Sequence, residues 1–168
     1  VIVTGLGNKA KFDIYRFRSA VSEAAKILKA GRIKEAISYL NLEDAEDASV
    51  YYRARYCVET IGAALYRYHE TKSGHAPRQP ALKKIGIAIH KRSDATKALR
   101  GAEHADAIVR GMALARDLGN LPANVCTPSH LGRAAQKLAK KHASVTTKVI
   151  GEAEIRKLGM HSFLSVTN

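Results

Sequence analysis

The sequence is poor in residues that build covalent frameworks or membrane spans. It contains no tryptophan and two cysteines, Cys57 and Cys126, in 168 residues. Cys57 lies on the apolar face of a predicted helix and Cys126 in a predicted loop, so they make no disulfide framework and a cytoplasmic location is expected. No apolar run approaches the ~20 residues that cross a bilayer, so no membrane partner is expected.

Motifs that carry chemistry are also missing. There is no HExxH and no Cys/His cluster at zinc spacing, and no serine has a GxSxG context. Residues 5–9, GLGNK, lack the third glycine of a dinucleotide loop and the GK[ST] of a Walker loop, which favours a tight strand-to-helix turn. Glu103, His104 and Asp106 fan around a helix and indicate a solvated face. From these patterns we predict no catalytic residue and no metal ligand.

Acidic residues are scarce beside basic ones, and the formal net charge is +13. The basic excess is concentrated in residues 72–100 and 130–148, whereas residues 43–47 are acidic. A set of basic side chains flanks one predicted strand and is placed to follow a phosphate backbone: Lys83, Lys84, Lys91 and Arg92. No aromatic stacking platform or recognition-helix motif accompanies them, so a solvated basic surface is the alternative to a DNA contact.

Hydrophobic periodicity predicts an α/β protein. Strands are predicted at 1–7, 35–42 and 85–90, alternating with helices over 13–30, capped by Gly31, and after an Asp47 N-cap. The order predicts parallel crossover connections, and three strands are few enough that further N-terminal strands are expected to be missing. The predicted inward positions of the two helices are Ile14, Phe17, Val21, Ala24 and Leu28, then Val50, Ala54, Cys57, Ile61 and Leu65.

A long Ala-rich helix and a second α/β unit follow. Ser93 is the predicted N-cap of a helix that runs to about Asp117 and spans ~36 Å, interpreted as a connector between domains. Thr127 before Pro128 predicts a helix to about His142. A strand over 145–150, a short helix over 152–158 closed by Gly159, and a strand from 163 complete the prediction. The predicted inward positions are Leu99, Ala102, Ala105, Ile108 or Val109, and Met112, then Leu131, Ala134, Ala135 and Leu138.

Two segments carry a family resemblance. Residues 115–135, ARDLGNLPANVCTPSHLGRAA, place Asn120, Pro122, Asn124 and Pro128 at offsets that resemble the domain junction of the leucyl (cytosol) aminopeptidases, the di-metal exopeptidases. Residues 157–166, KLGMHSFLSV, are a second match in the expected order. The resemblance implies part of a macro-domain-like N-terminal α/β domain at 1–92, a connector helix at 93–118 and the beginning of the catalytic domain at 119–168.

The resemblance also implies a mechanism outside these residues. Members use two divalent metal ions, such as manganese or zinc, act on peptide substrates and form homohexamers. Their ligands and catalytic residues lie in NTDAEGR-type and GKG-type segments, neither of which occurs here. No catalytic or metal residue is therefore carried over, and no metal is expected on this segment. Asn120, Pro122, Asn124 and Pro128 are interpreted as structural, through turn chemistry and side-chain hydrogen bonds to backbone.

Two alternatives stay open beside a part of an aminopeptidase. Some bacterial relatives bind DNA, and the charge of +13 is compatible with a DNA-binding accessory or regulatory protein. The other alternative is a non-enzymatic scaffold that sets hexamer contacts or substrate access.

Overall fold

The computed structural model describes residues 1–46, 48–71 and 80–165. The chain divides into two compact units, Val1–Asn120 and Leu121–Asn168. The predicted α/β class is confirmed, with helices more prominent than strands. In chain order the elements are α1 (Ile14–Ala30), β1 (Glu35–Ser38), α2 (Val50–Leu65), β2 (Lys84–Ile87), α3 (Ala95–Asn120), α4 (Pro128–Lys141), α5 (Glu152–Lys157) and α6 (His161–Leu164), with 3-10 turns at Lys9–Lys11, Leu40–Leu42 and Arg92–Asp94.

The sheet has two parallel strands within the described residues. β1 pairs with β2 in a register that runs from Glu35 opposite Lys84 to Ser38 opposite Ile87. Both strands are shorter than predicted, because residues 40–42 turn into a 3-10 helix and the pairing ends where the Ala88 N–H donates to the Ser38 carbonyl at 3.0 Å. The strand predicted at 1–7 is wrong. That segment has no ladder partner in the described part of the chain, and Gly7 takes a left-handed φ of 75°.

The core of the first unit lies between α1 and α2. Phe17, Val21 and Cys57 are its largest fully buried side chains. Helix α1 begins after Asp13, whose side chain accepts a hydrogen bond from the Arg16 backbone N–H at 2.9 Å, and ends at Gly31 as predicted. The helical period is confirmed. The side chains fully enclosed on α1 nevertheless include Ala20 and Ala25, whereas Ile14 and Ala24 are half-buried.

Helix α2 begins with Ser49 as its N-cap residue. The predicted cap, Asp47, lies outside the described residues. Ala54, Cys57 and Ile61 are buried as predicted, and Val50 and Leu65 are half-buried.

Helix α3 packs along α2 through small residues. Its buried positions are Ala98, Gly101 and Ala105, whereas Leu99 is 60% exposed. The prediction that Leu99 faces inward is therefore wrong, because the close approach of the two helices selects small side chains. Residues 92–94 form a 3-10 turn, so α3 begins after the predicted Ser93 cap, and it continues to Asn120 rather than ending near Asp117. No helix within the described ranges is long and apolar enough to cross a membrane.

The second unit begins with a turn that leads into α4. Thr127 caps α4 as predicted, since its side chain accepts a hydrogen bond from the His130 N–H at 3.3 Å, and Pro128 occupies the first turn. Leu131 and Leu138, predicted to face inward, are 46% and 39% exposed. Ala134 and Ala135 are half-buried.

The strands predicted in the second unit are wrong where the structure describes them. Residues 145–150 are irregular and are tied to α4 by the Thr147 hydroxyl, which donates to the Ala135 carbonyl at 3.2 Å. The start of the strand predicted from 163 lies in α6, and residues 166–168 fall outside the described ranges. Gly159 closes α5 with a left-handed φ of 68°, as predicted.

Candidate functional site

A polar cluster joins the C-terminal ends of α2 and α3, and we call it the α3-end cluster: Tyr66, Arg116, Asp117 and Asn120. The Tyr66 hydroxyl donates a hydrogen bond to Asp117 Oδ1 at 2.7 Å. The Asn120 side-chain amide donates to the same hydroxyl at 3.2 Å. The phenol oxygen therefore both donates and accepts, which fixes the orientation of the last turn of α3 relative to the end of α2.

Two positively charged side chains donate hydrogen bonds to backbone carbonyl groups at the end of α2. The Arg116 guanidinium lies 5.3 Å from the centre of the Tyr66 ring and donates to the Ala63 carbonyl at 3.1 Å. The Lys29 ammonium at the end of α1 reaches the Tyr66 carbonyl at 3.5 Å. The last carbonyls of a helix have no partner within it, and positive charge is favourable there. Arg116 of the α3-end cluster and Lys29 of α1 therefore close the end of α2 from both neighbouring helices.

The surroundings of Tyr66 shift its pKa. Partial burial raises the pKa of the Tyr66 phenol, the hydrogen bond to Asp117 raises it further, and the amide of Asn120 lowers it in part. A tyrosine phenol is already neutral at physiological pH, and the raised pKa keeps Tyr66 in its donating form to higher pH. Tyr66 is accordingly suited to anchoring Asp117 and unsuited to acting as a base.

An apolar cavity of about 350 Å³ adjoins this cluster in the first unit. It lies between α2 and α3, and its lining includes Leu65, Tyr66, Val109, Met112 and Arg116. Among the described residues that line the cavity, Arg116 is the one charged residue, and none carries a carboxylate or an imidazole. A lining of this kind supplies neither a general base nor metal ligands.

The junction motif falls on both sides of the division between the two units. Asn120 belongs to the first unit, where its amide contacts the Tyr66 phenol rather than a backbone group. In the second unit, the Pro122 carbonyl accepts hydrogen bonds from the backbone N–H groups of Val125 and Cys126, both at 2.9 Å. Asn124 is exposed in that turn, and Pro128 opens α4. The structural role predicted for the four motif residues stays a prediction.

The four basic residues predicted to contact DNA do not form one cluster. Lys83 and Lys84 lie at the start of β2, and Lys91 and Arg92 follow its other end. All four are exposed. The length of the strand separates the two pairs, so any anion that contacts all four has to extend along β2. Their role in DNA contact stays a prediction.

The described residues offer no metal site and no activated nucleophile. No group of three or more His, Cys, Asp and Glu side chains in that part of the chain is placed to hold an ion. On α3, His104 Nδ1 is 2.8 Å from the Tyr51 hydroxyl, and Asp106 pairs with Arg110 at 2.9 Å. Burial raises the pKa of the Cys57 thiol to about 11, so it stays protonated at neutral pH.

The sequence missed Tyr66 and Arg116 as members of the α3-end cluster. Asp117 and Asn120 are visible in the junction motif, but their partner Tyr66 lies 51 and 54 positions earlier in the chain. The only local signal is a tyrosine at the end of a predicted amphipathic helix, which is equally typical of a surface position.

We expect Tyr66→Phe to lower the stability of the first unit. The change removes one hydroxyl that satisfies both Asp117 and Asn120, and it leaves the carboxylate without that donor. The urea midpoint should fall more than for Tyr15→Phe, since Tyr15 is 77% exposed. The hydrogen-bonded phenol has a raised pKa, so its stabilising effect should be present below the unfolded-state pKa of about 10 and be lost as the pH rises above it. Equal midpoints for the two variants would contradict the bridging role.

Comparisons with known proteins place the two parts of the chain in one family. The model of the cytosol aminopeptidase family, N-terminal domain, matches residues 1–75. The model of the catalytic domain of the same family matches residues 113–168. The two matches occur in the order expected from the junction motif.

Curated relatives match nearly the whole chain. A protein of Nitrosococcus oceani named "Probable cytosol aminopeptidase" is 38% identical over 167 residues, which cover 99% of this chain and 33% of that protein. One of the same name from Chromobacterium violaceum is 39% identical over 166 residues, covering 99% and 32%. The chain spans about a third of the length of these relatives.

Two solved structures are similar to most of this chain. The bottromycin maturation enzyme BotP is similar with a TM-score of 0.72 and 27% identity, covering 93% of this chain and 31% of that one. A structure of BotP in complex with Mn has a TM-score of 0.63 and 26% identity, covering 82% and 27%.

Proposed function

The chain belongs to the cytosol aminopeptidase family, and we propose that it is part of a metal-dependent leucyl aminopeptidase, a hydrolase that removes N-terminal amino acids from peptides. The observation that carries the proposal is the pair of family matches, N-terminal domain at 1–75 and catalytic domain at 113–168, in one chain. We assign 1–92 to the N-terminal domain, 93–118 to the connector and 119–168 to the beginning of the catalytic domain.

This segment has a structural role in that enzyme. It contributes the packed α1, α2 and α3 of the first unit, and the α3-end cluster fixes the last turn of α3 against the end of α2. Assembly as a homohexamer in the cytoplasm is part of the same proposal, and the name shared by the relatives supports the location.

Two divalent metal ions, manganese or zinc, complete the proposed enzyme. One similar structure, that of BotP in complex with Mn, supports manganese. The donor groups of the described residues do not fit such ions, because no group of three ligating side chains converges. We therefore derive no catalytic step from this chain, and we assign its residues to structure and assembly.

The purified chain should show no turnover of leucine p-nitroanilide with added Mn²⁺, and it should bind no stoichiometric Mn²⁺. The physical reason is the lack of converging ligands and of an activated nucleophile within the described residues. The Chromobacterium violaceum relative, assayed in parallel, is the positive control. Turnover by the 168-residue chain itself would show that the assignment is wrong.

A chimera tests whether this segment can replace the corresponding part of an active aminopeptidase. In it, this chain replaces the matching third of the Chromobacterium violaceum relative. If the segment is the structural part of an aminopeptidase, the chimera should assemble and retain manganese-dependent turnover. A folded, assembled chimera without activity would contradict the proposed function.

The DNA-binding alternative gains no support from these matches. None of the relatives or structures named above is described as binding nucleic acid. No contact in the described part of the chain favours it over a solvated basic surface, and it stays a prediction.

A further inference from the structure

The apolar cavity between α2 and α3 has the size and the walls of a small-molecule site. Its volume of about 350 Å³ lies at the lower end of the ~300–1,000 Å³ that such sites occupy. Gly62 and Val109 both line it and bring the two helices together at one wall, since a Cβ at Gly62 would lie 2.6 Å from Val109 Cγ2. The packing of the two helices therefore forms this wall, and a site on helices is held more precisely than one on loops.

One positive charge borders this apolar space. Arg116 Nη1 donates to the Ala63 carbonyl at 3.1 Å, and the Arg116 Cζ lies 5.3 Å from the centre of the Tyr66 ring. Ala63 and Tyr66 both line the cavity, so these two contacts hold the guanidinium at its wall.

The protein leaves this charge without a counter-ion among the described residues. Arg116 forms no ion pair there, and the carboxylate of Asp117 accepts the Tyr66 hydroxyl instead. Nε and Nη2 of Arg116 have no protein partner in the same part of the chain. These two groups form one edge of the guanidinium, and such an edge can donate two parallel hydrogen bonds to a carboxylate.

The lining favours a ligand that is apolar along its length and anionic at one end. Leu65, Leu82 and Met112 offer aliphatic contact, and the Tyr66 hydroxyl is already bonded to Asp117 and Asn120. A sugar or a peptide would bring hydroxyl or amide groups that find no partner on these side chains, which is unfavourable. A cationic ligand would meet the charge of Arg116. A free aliphatic carboxylate has neither disadvantage.

We propose that this cavity binds a short-chain fatty acid, with its hydrocarbon chain between α2 and α3 and its carboxylate on Nε and Nη2 of Arg116. Arg116 is exposed, so the carboxylate stays in contact with solvent while the chain leaves it. The limited volume favours a short chain over a long one. The site lies on the first unit, and its existence does not depend on the proposed peptidase function.

The two methionines of the chain allow binding to be located by NMR. Met112 lines the cavity, whereas Met160 belongs to the second unit and does not line it. In the full chain labelled with methyl-¹³C methionine, octanoate should shift the Met112 methyl signal saturably and leave the Met160 signal in place. No saturable shift of Met112, or equal shifts of both signals, would overturn the proposal.

A neutral ligand of the same length tests the role of the charge in the wild-type chain. Octan-1-ol should bind at the same Met112 signal roughly fivefold more weakly than octanoate, since an exposed ion pair contributes up to about that factor. Equal affinity for the two ligands would show a merely apolar groove and contradict the assignment of a carboxylate. This comparison uses no variant, so it holds even if a substitution prevents folding.

Three variants complete the test. Arg116→Gln should weaken octanoate binding roughly fivefold and leave octan-1-ol binding unchanged. Arg110→Gln is the matched control, since Arg110 lies on the same helix, pairs with Asp106 and does not line the cavity. Ala113→Leu places a larger side chain in the lining and should weaken both ligands. Equal weakening of octanoate by Arg116→Gln and Arg110→Gln would show attraction to the overall positive charge and would overturn the site.

Discussion

Gly101→Ala is expected to lower the free energy of unfolding by ~1–3 kcal/mol, the usual cost of forcing extra atoms into a packed interface. A Cβ at position 101 would lie 2.4 Å from the Tyr51 carbonyl oxygen and 3.2 Å from the Arg55 backbone nitrogen. Both atoms belong to the α2 backbone, so no side-chain rotation relieves the clash. Helix α3 would have to move away from α2.

The same displacement would disturb a neighbouring contact between these helices. The Tyr51 hydroxyl lies 2.8 Å from His104 Nδ1, and the two rings meet edge to face with centres 5.7 Å apart. A shift of α3 lengthens this contact as well. Gly101→Ala should therefore lower the free energy of unfolding by more than the same substitution does where the neighbouring atoms can move aside.

Gly111→Ala is the matched control on the same helix. A Cβ there meets no atom of the described residues within 4 Å, and alanine in a helix interior is favoured over glycine by about 1 kcal/mol. Urea unfolding followed by helical circular dichroism should move in opposite directions for the two variants. A stabilised Gly101→Ala would mean that α2 and α3 are not in contact as the structure has them.

Local sequence signals predicted the helices well. The spacing of Phe17 and Val21 predicted the buried face of α1, and Thr127 before Pro128 predicted the start of α4. Such features depend on residues within one or two turns of each other, so the sequence alone contains them. The same holds for Gly159, whose left-handed φ of 68° closes α5.

Features that depend on distant partners were predicted poorly. A strand needs a ladder partner, and residues 1–7 and 145–150 have none in the described parts of the chain, despite their β-branched composition. The sequence predicted a buried stripe on α3 that includes Leu99 and Ala105. Ala105 is buried, whereas Leu99 is 60% exposed. The structure also buries Gly101, because the backbone of α2 lies too close to α3 at this position for a side chain. That close approach depends on tertiary packing, which local sequence does not reveal.

The candidate site shows the same division. The junction motif identified Asn120 as special, but the contact that Asn120 shares with Asp117 through Tyr66 depends on the packing of α3 along α2.

Phe17→Ala is expected to cost ~3–5 kcal/mol, the range for a buried aromatic side chain replaced by alanine. Phe17 is 0% exposed, and its ring packs edge to face against Phe12 with centres 6.5 Å apart. Around it lie the buried side chains of Val21 and Cys57, which have fixed backbone positions on α1 and α2 and cannot fill the space.

That loss is a large share of the ~5–15 kcal/mol that stabilises a typical domain. Tyr15→Ala, two positions earlier on α1, removes a ring that is 77% exposed and should change stability by no more than about 0.5 kcal/mol. Urea unfolding of both variants measures the difference between the two faces of one helix. Similar losses at Phe17 and Tyr15 would mean that the core does not lie between α1 and α2. The first unit would then lack the rigid body that positions the α3-end cluster.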